Sequence, residues 1–272
     1  MIKIKFTKMV ASGNDFVVVE SLPKGLLIKK LAKEICDRKY GVGADGLLVL
    51  SKAGLNTIRM RIFNSDGSEA QMCGNGARCV ALYSVRGQKI EDRKQKKIKI
   101  KTMAGIIEAE VNNDTVKIKL TEPKDLKLDI PLKVSGRDLS VNFINTGVPH
   151  TVIFVEGIDK IKVKNIGEEI RRHKRFAPAG TNVDFVEILS GDQAKIRTYE
   201  RGVEDETLAC GTGSAAAALI FALKTGALNK ISMFTKSGEV LKVYFKKEGE
   251  RLQDVWLEGK AKIVYGGEYS HV

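Results

Sequence analysis

The chain has 272 residues, of which 43% are hydrophobic and 29% are charged, and its formal net charge is +13. These values are typical of a soluble globular protein with room for two domains. The longest apolar run, "AAAALIFAL", is far shorter than the ~18 residues that a membrane helix needs, and the first 20 residues lack the apolar segment of a signal peptide. We therefore expect a cytoplasmic protein with no membrane partner.

The excess of positive charge has a structural explanation. In "KKIKIKTM" and "VKIKL" lysines alternate with aliphatic residues, which predicts half-buried strands with a solvated basic face. Aromatic residues make up only 6% of the chain, so side chains for stacking on bases are scarce. We expect no nucleic-acid partner. The four cysteines are too few for a disulfide framework, and neither they nor the three histidines have metal-site spacing, so no metal is predicted.

The first half of the chain predicts strands around two helices. Residues 1–20 predict one or two strands, and the amphipathic pattern of 26–41 predicts a helix. Strands are then expected at "LLVL" and "IRMRIFN", followed by "CGNG" and a helix from Gly74 to Val85. A charged connector is predicted at 91–97, and strands near 97–103, 106–111 and 115–121.

The second half repeats this pattern. The two prolines of "TEPKDLKLDIPL" predict a linker between domains. Strands near 139–145 and 151–155 and a helix near 165–174 should follow. "TNVDFVEIL" and "QAKIRTYE" predict strands, and "CGTG" opens a second apolar helix before a final series of strands from 231 to 265.

Two stretches of the chain resemble each other. "IRMRIFNSDGSEAQMCGNG" and "KIRTYERGVEDETLACGTG" each contain an alternating strand, an acidic loop and a cysteine at the start of a helix. "GNDFVVVE" also resembles "TNVDFVEI". A repeat at this scale predicts two similar domains facing each other across a cleft.

The paired Cys-Gly-x-Gly motifs suggest a chemistry. Unpaired N–H groups at a helix N-terminus favour a carboxylate and lower the pKa of a thiol. Two such helix ends could hold one α-carboxylate, with Cys73 and Cys210 on opposite sides of the α-carbon. One thiolate would remove the α-proton and one thiol would return a proton, which inverts the stereocentre. Cys36 and Cys79 are expected to be packing residues.

Several blocks resemble one known family. They are "GNDFVVVE", "GVGADG", "FNSDGSEAQMCGNGARC", "TGVPH", "AGTNVDFVEI" and "YERGVEDETLACGTGSAAAA". In this order they resemble the diaminopimelate epimerases, which interconvert LL- and meso-diaminopimelate in lysine and peptidoglycan synthesis. The resemblance implies no metal and no pyridoxal phosphate, a diamino dicarboxylate as the small-molecule substrate, and an enzyme that is often a homodimer.

The resemblance also implies a fold and domain boundaries. It predicts an α+β protein with two pseudo-symmetric domains, each a mostly antiparallel β-sheet wrapped around a central helix, and an active site in the cleft between them. The N-terminal epimerase domain is expected at 1–118, and the tail 262–272 should return to it. The C-terminal epimerase domain is expected at 119–261.

The site residues follow by motif position. Cys73 and Cys210 resemble the acid/base pair, and His150 occupies the position of the histidine beside that pair. The groups that match those around the α-carboxylate are Gly74, Asn75, Gly211 and Thr212. The groups that match those holding the distal end and the α-amino group are Asn14, Asn64, Asn182, Glu200 and Arg201.

Two positions depart from the common pattern of the family. Val148 stands where members often have Asn, and Gly46 stands where many have Gln. Valine cannot replace the hydrogen bonds of an amide side chain. These changes bear on the distal end of the substrate and leave both thiols in place.

The residues leave three alternatives open. One is a related cofactor-independent racemase acting on another amino acid, such as lysine or histidine. Proline is disfavoured as a substrate because the blocks around each cysteine differ from those of the proline racemases. Another is a relative that has lost catalysis and binds a ligand or partner, although both cysteines are present. The third is a basic nucleic-acid-binding module, which steeply salt-dependent binding would reveal.

Overall fold

A computed structural model describes residues 2–23, 25–87, 97–227, 229–249 and 251–271. The predicted charged connector at 91–97 lies outside the described residues, except for Lys97. Two compact units divide the chain: unit 1 comprises Met1–Ile118 and Gly259–Val272, and unit 2 comprises Lys119–Glu258.

The helices and strands have the following bounds. The helices are α1 (Ile28–Cys36), α2 (Gly74–Arg86), α3 (Val163–Arg171) and α4 (Gly211–Thr225). The strands up to the unit boundary are β1 (Ile2–Ala11), β2 (Asn14–Glu20), β3 (Gly46–Gly54), β4 (Thr57–Asn64), β5 (Glu69–Ala70), β6 (Lys97–Thr102), β7 (Gly105–Asn112) and β8 (Thr115–Lys119). The later strands are β9 (Lys124–Val134), β10 (Arg137–Asn145), β11 (Pro149–Phe154), β12 (Asn182–Ser190), β13 (Gln193–Glu200), β14 (Asp205–Thr207), β15 (Lys230–Phe234), β16 (Val240–Glu248), β17 (Arg251–Lys260) and β18 (Lys262–His271).

Each unit places one apolar helix inside its sheet. Every residue of α4 from Gly213 to Ala222 is buried, and α4 contacts β10, β11, β12, β13, β15 and β16. A helix that is apolar on all faces belongs in a core, and its alanines let strands approach from several sides. In unit 1, α2 contacts β1, β2, β4, β6, β7 and β18 in the same way. The predicted α+β class, with sheets wrapped around central helices, is confirmed.

A second helix covers the outer face of each sheet. In unit 1, α1 buries Leu31 and Ile35 against β-strand residues such as Val17. In unit 2, α3 buries Val163 and Ile170 in the corresponding cluster. Because both faces of the central strands are covered, β2 reads as a continuous buried run rather than an alternating one.

The two units share one topology. In unit 1, β1 and β2 are antiparallel, β2 and β3 parallel, β3 and β4 antiparallel, and β4 and β6 parallel. In unit 2, β10, β11, β12, β13 and β15 repeat the same series. Each first strand also pairs antiparallel with an outer strand, β1 with β18 and β10 with β9. The internal repeat therefore extends through the whole of each unit.

The repeat corrects one predicted correspondence. "GNDFVVVE" forms β2, whereas "TNVDFVEI" includes β12, and the topological partner of β12 is β3. Phe16 pairs with Gly46 across β2 and β3, and His150 pairs with Asn182 across β11 and β12. Gly46 is thus equivalent to Asn182, and Asn14 is equivalent to Val148. The shared Asp-Phe letters are a coincidence of two different strands.

The predicted linker is also wrong. Residues 124–134 form β9, which pairs with β10 from Val134↔Arg137 to Lys124↔Asn145. Strand β9 is irregular, with positive φ at Asp125 and Asp129 and register shifts along its pairing. A proline is tolerated in such a strand where its missing N–H is not needed, so Pro131 did not mark a boundary.

Candidate active site

The two predicted catalytic cysteines occupy the same position in their units. Cys73 is the N-cap of α2 and Cys210 is the N-cap of α4, both with extended backbone dihedrals. The Sγ atom of Cys73 accepts a hydrogen bond from Gly76 N at 3.4 Å, and Cys210 Sγ accepts one from Gly213 N at 3.4 Å. Each sulfur therefore takes the capping role usually filled by a serine or aspartate oxygen.

The second glycine of each motif lies in close contact with a buried strand. A Cβ on Gly76 would lie 3.2 Å from the side chain of Leu48, on β3. A Cβ on Gly213 would collide with the carboxylate of Asp184, on the equivalent strand β12. The Cys-Gly-x-Gly pattern thus lets the start of each central helix rest directly on a buried strand.

An ion pair secures the segment that leads to each cysteine. In unit 1, Arg61 Nε and Nη2 donate to the two oxygens of Glu69 at 2.7 Å and 2.9 Å. In unit 2, Arg197 donates to Glu206 in the same two-pronged manner at 2.6 Å and 2.9 Å. Glu69 and Glu206 each precede their cysteine by four residues. Bidentate pairs of this kind fix geometry as well as adding stability.

In unit 1, a directed chain of hydrogen bonds lies beside the start of α2. The buried Arg78 guanidinium donates to Asn75 Oδ1 at 2.5 Å, and Asn75 Nδ2 donates to Asn14 Oδ1 at 2.6 Å. Asn14 Nδ2 then donates to Asp45 Oδ2 at 3.1 Å. Because arginine only donates and a carboxylate only accepts, both amides are oriented, and each keeps a second N–H for a ligand.

Asn64 lies at the end of β4 and is exposed, with its Nδ2 donating to Ser68 Oγ at 2.9 Å. Its ladder partner on β3 is Gly46. The structure therefore joins Asn14 and Asn75 directly, and places Asn64 two strands away in the same unit.

In unit 2, His150 sits in a buried network. Its Nδ1 lies 2.7 Å from Asp184 Oδ2, and both side chains are fully buried. Its Nε2 lies 3.0 Å from Thr212 Oγ1, which in turn lies 3.4 Å from Cys210 Sγ. The Thr198 hydroxyl donates to the other oxygen of Asp184 at 2.7 Å. The predicted residues His150, Thr212 and Cys210 are thus connected.

The environment of Cys210 opposes the expected effect of the helix end. Burial raises the pKa of the Cys210 thiol well above its ordinary value, and the charges of Glu200 and Asp184 raise it further. The Thr212 and Gly213 hydrogen bonds lower this pKa but do not prevail. The expectation of a lowered thiol pKa is wrong for Cys210, because burial, together with the charges of Glu200 and Asp184, outweighs the hydrogen bonds at the helix start.

Glu200 is the carboxylate that interacts with the Cys210 thiol. Burial raises the pKa of Glu200, while hydrogen bonds from Thr207 and Cys210 and the charge of His150 act in the opposite direction. The Thr207 hydroxyl donates to Glu200 Oε1 at 2.9 Å. A carboxylate with a raised pKa beside a thiol is suited to exchanging a proton with it.

Asn182 and Arg201 form a second pair in unit 2. Asn182 Nδ2 donates to Pro149 O at 2.9 Å, and its Oδ1 accepts from Arg201 N at 2.9 Å. The Arg201 guanidinium donates to Ala179 O at 3.1 Å and remains partly exposed. Its other donors are free to meet a ligand carboxylate.

Comparison with known proteins decides the family. The family model described as "Diaminopimelate epimerase" matches residues 6–125 and 142–264. The chain belongs to the diaminopimelate epimerase family. It is 40% identical to the diaminopimelate epimerase of Aquifex aeolicus, and the alignment covers 98% of each chain. The family prediction is confirmed.

Solved structures share the fold of this family member. A phenazine biosynthesis protein of the PhzF family from Bacillus anthracis superimposes with a TM-score of 0.76 at 19% identity, covering 100% of both chains. A probable proline racemase from Agrobacterium radiobacter gives a TM-score of 0.71 at 15% identity, covering 98% of this chain and 93% of the other. At these identities the likeness concerns the fold alone.

Two features are absent from the part of the chain that the structure describes. The described residues contain no group of three or more His, Cys, Asp or Glu side chains arranged to hold a metal ion. None of the helices within the described ranges is both long enough and apolar enough to cross a membrane.

Two buried residues of the site were missed from the sequence. Asp184 lies on β12 against the start of α4, Arg78 lies within α2, and both are fully buried. A charge inside an otherwise apolar strand or helix pattern is the signal that could have found them, because a buried charge needs a partner.

Proposed function

We propose that this chain interconverts LL- and meso-diaminopimelate without a cofactor. One cysteine removes the α-proton as a thiolate, and the other returns a proton as a thiol. The observation that carries the proposal is the matched setting of Cys73 and Cys210, each a helix N-cap whose sulfur accepts an N–H at 3.4 Å. Membership of the diaminopimelate epimerase family supplies the substrate.

The helix starts are suited to the α-carboxylate. Gly74 and Asn75 begin α2, and Gly211 and Thr212 begin α4, so their N–H groups lack partners within the helix. These donors and the helix dipoles stabilise negative charge, which grows on the substrate as the α-proton leaves. We propose these four residues as the carboxylate-binding groups.

The distal end and the α-amino group are assigned to Asn14, Asn64, Asn182, Glu200 and Arg201. Asn14 offers an oriented N–H donor, and Arg201 offers a guanidinium that matches a carboxylate. A substrate with a single amino-carboxylate end would leave these partly desolvated groups unpaired, which disfavours its binding.

The protonation state of Cys210 assigns it a starting role. Its raised pKa makes the neutral thiol the resting form, ready to act as the acid. When Cys210 acts as the base, its proton must first move to a neighbouring group, and Glu200 and His150 lie on the two routes that the hydrogen bonds provide. The two thiols then exchange roles at each turnover.

The same proposal covers the domains and the cellular setting. Residues 1–118 with the tail 262–272 are assigned as the N-terminal epimerase domain and 119–261 as the C-terminal epimerase domain. We also propose a cytoplasmic location, on the sequence pattern described above, and a homodimer, which the family resemblance implies. Light scattering on the purified chain tests the dimer.

The activity is tested by proton NMR of the reduced protein in D₂O. We expect loss of the Cα–H signal of LL-diaminopimelate and appearance of the meso isomer, with no exchange for L-lysine, L-histidine or L-proline. Cys73→Ala and Cys210→Ala should each abolish this exchange, whereas Cys36→Ala, which removes a buried thiol away from the helix starts, should not. Exchange of lysine or histidine instead would identify a different amino acid as the substrate. No exchange with any of these compounds would overturn the proposal.

A further inference from the structure

The turn that begins at Arg201, between β13 and β14, is one residue longer than its counterpart in unit 1. Glu206 follows its partner Arg197 by nine positions, whereas Glu69 follows Arg61 by eight. A longer turn has more conformations open to it, and ordering it at each binding event costs free energy. A turn that carries a substrate-binding group therefore gains from contacts that hold it in advance.

Glu204 closes this turn in a backbone conformation that residues other than glycine seldom adopt. Its φ is +58°, in the left-handed region, and its N–H donates to Glu200 O at 2.8 Å. Its Oε1 atom accepts from Gly202 N at 3.1 Å, and its Oε2 atom accepts from the Tyr199 hydroxyl at 3.3 Å. Such a conformation persists only where the surroundings hold it.

The outer helix α3 adds a charged contact to the turn through Arg171. Arg171 Nε and Nη2 donate to Glu204 Oε1 at 3.2 Å and 3.0 Å, and the two side chains are 20% and 34% exposed. Helix α3 itself rests directly on β13, because a Cβ on Gly167 would lie 2.6 Å from the Cβ of the buried Tyr199. The guanidinium of Arg171 therefore extends from a rigid support.

Arg171 also packs on the segment that precedes β12. A Cβ on Gly180 would collide with Arg171 Nη1. The neighbouring Ala179 O accepts from Arg201 Nη1 at 3.1 Å, and Asn182 Oδ1 accepts from Arg201 N at 2.9 Å. The guanidinium of Arg171 thus contacts both the turn that carries Arg201 and the segment to which the Arg201 side chain is bound.

We infer that Arg171 is a positioning residue for substrate binding. By holding Glu204 and the segment before β12 together, it keeps the Arg201 guanidinium in one place for the distal carboxylate of the substrate. That carboxylate is remote from the reacting α-carbon, so Arg201 binds it equally before and during proton transfer. Loss of this positioning raises KM and leaves kcat nearly unchanged. The inference rests on the proposed function for the identity of the substrate.

The first experiment measures kcat and KM for epimerisation of LL-diaminopimelate. Glu204→Gln keeps the shape of the side chain and removes the charge that Arg171 contacts. We expect KM to rise about tenfold, because a long side chain and its turn must now be ordered at each binding event, with kcat changed less than about twofold. Arg171→Gln should do the same, and the double variant should be no worse than either single change.

Asp205→Asn is the matched control. Lys164 also links α3 to this hairpin, through an exposed pair with Asp205 of 3.0 Å, and removing that pair should alter neither constant. An unchanged KM in Glu204→Gln overturns the inference. Equal falls in kcat and kcat/KM in that variant also overturn it, because they would indicate a general structural role.

The second experiment measures hydrogen exchange of the backbone N–H groups of residues 201 and 204 by NMR, without substrate. In Glu204→Gln both should exchange about tenfold faster than in the unaltered chain, and in Asp205→Asn neither should change. Equal exchange in the unaltered chain and in Glu204→Gln overturns the inference. Because no substrate is present, this result is separate from success or failure of the epimerisation assay.

Discussion

Arg197 holds Glu206 with two parallel hydrogen bonds, of 2.6 Å and 2.9 Å, four residues before Cys210. The same guanidinium also donates to the carbonyl oxygens of Ile158 and Ile161, which ties the segment to the rest of unit 2. Arg61 and Glu69 repeat this arrangement before Cys73. In both units, therefore, an arginine–glutamate pair fixes the segment that leads to the cysteine.

Arg197→Gln should therefore weaken both folding and activity. It leaves the largely buried Glu206 without its bidentate partner, although Lys236 Nζ still lies 2.9 Å from that carboxylate. We expect a loss of about 2 kcal/mol in the free energy of unfolding and a lower kcat, measured by urea denaturation and the epimerisation assay. Arg172→Gln removes an exposed pair with Glu168 and should cost under about 0.5 kcal/mol. Equal effects of the two variants would contradict this role.

Gly213→Ala tests the close approach of α4 to β12. The added methyl would meet the Asp184 carboxylate and the Cys210 Cβ, so either the helix start or the carboxylate must move. We expect about 2 kcal/mol of destabilisation and at least a tenfold fall in kcat. Gly191→Ala is the matched control, since its added methyl meets open space. Thermal melts and steady-state rates on both variants decide the matter, and a fully active Gly213→Ala enzyme would refute the packing argument.

The decrease in the free energy of unfolding at acid pH should depend on Asp15. Hydrogen bonds and charges from Arg38 and Lys8 hold the pKa of Asp15 well below its usual range, although burial acts against them. A carboxyl whose pKa is lower in the folded state stabilises the fold above its unfolded pKa of about 4, and this stabilisation is lost as the pH falls below that value. Denaturation between pH 7 and pH 2 measures the slope.

Asp15→Asn should flatten this slope and lower stability at neutral pH. In the unaltered protein the buried Lys8 ammonium lies 2.8 Å from Asp15 Oδ2. The variant leaves this ammonium without its counter-charge. We expect a loss of about 2 kcal/mol at pH 7, shrinking towards zero in acid. An unchanged acid slope would show that other carboxylates dominate it.

Val148→Asn tests the departure from the family pattern. Val148 is equivalent to Asn14 in the internal repeat, two residues before the ladder pair of His150 and Asn182. An amide at this position restores one hydrogen-bonding group for the substrate, which is expected to raise kcat/KM for LL-diaminopimelate about fivefold. Val148→Leu has no such group and should give no gain. If both variants behave alike, this position does not contact the substrate.

Local patterns were enough to predict much of the fold. Alternation in "KIKIKT" and "VKIK" predicted the strands β6 and β8, and the Cys-Gly-x-Gly motifs predicted the starts of α2 and α4. These features depend on residues close together in the chain, where period and capping chemistry act directly.

Features set by distant residues escaped prediction. The pKa of Cys210 is raised by burial and by the charges of Glu200 and Asp184, which reach it from β13 and β12. Strand β9 exists because β10 pairs with it, in spite of Pro131. The correspondence of β3 with β12 rests on ladder partners and not on similar letters. Tertiary context decided each of these cases.

The pairing of β1 with β18 has a consequence for the order of folding during synthesis. The ladder runs from Ile2↔His271 to Val10↔Lys262, so the first strand of unit 1 waits for a partner that the ribosome makes only after all of unit 2. Unit 2 is one continuous stretch, Lys119–Glu258, and has its complete sequence available earlier. Although unit 1 leads the chain, unit 2 is therefore the first to be able to close, and β1 is completed last.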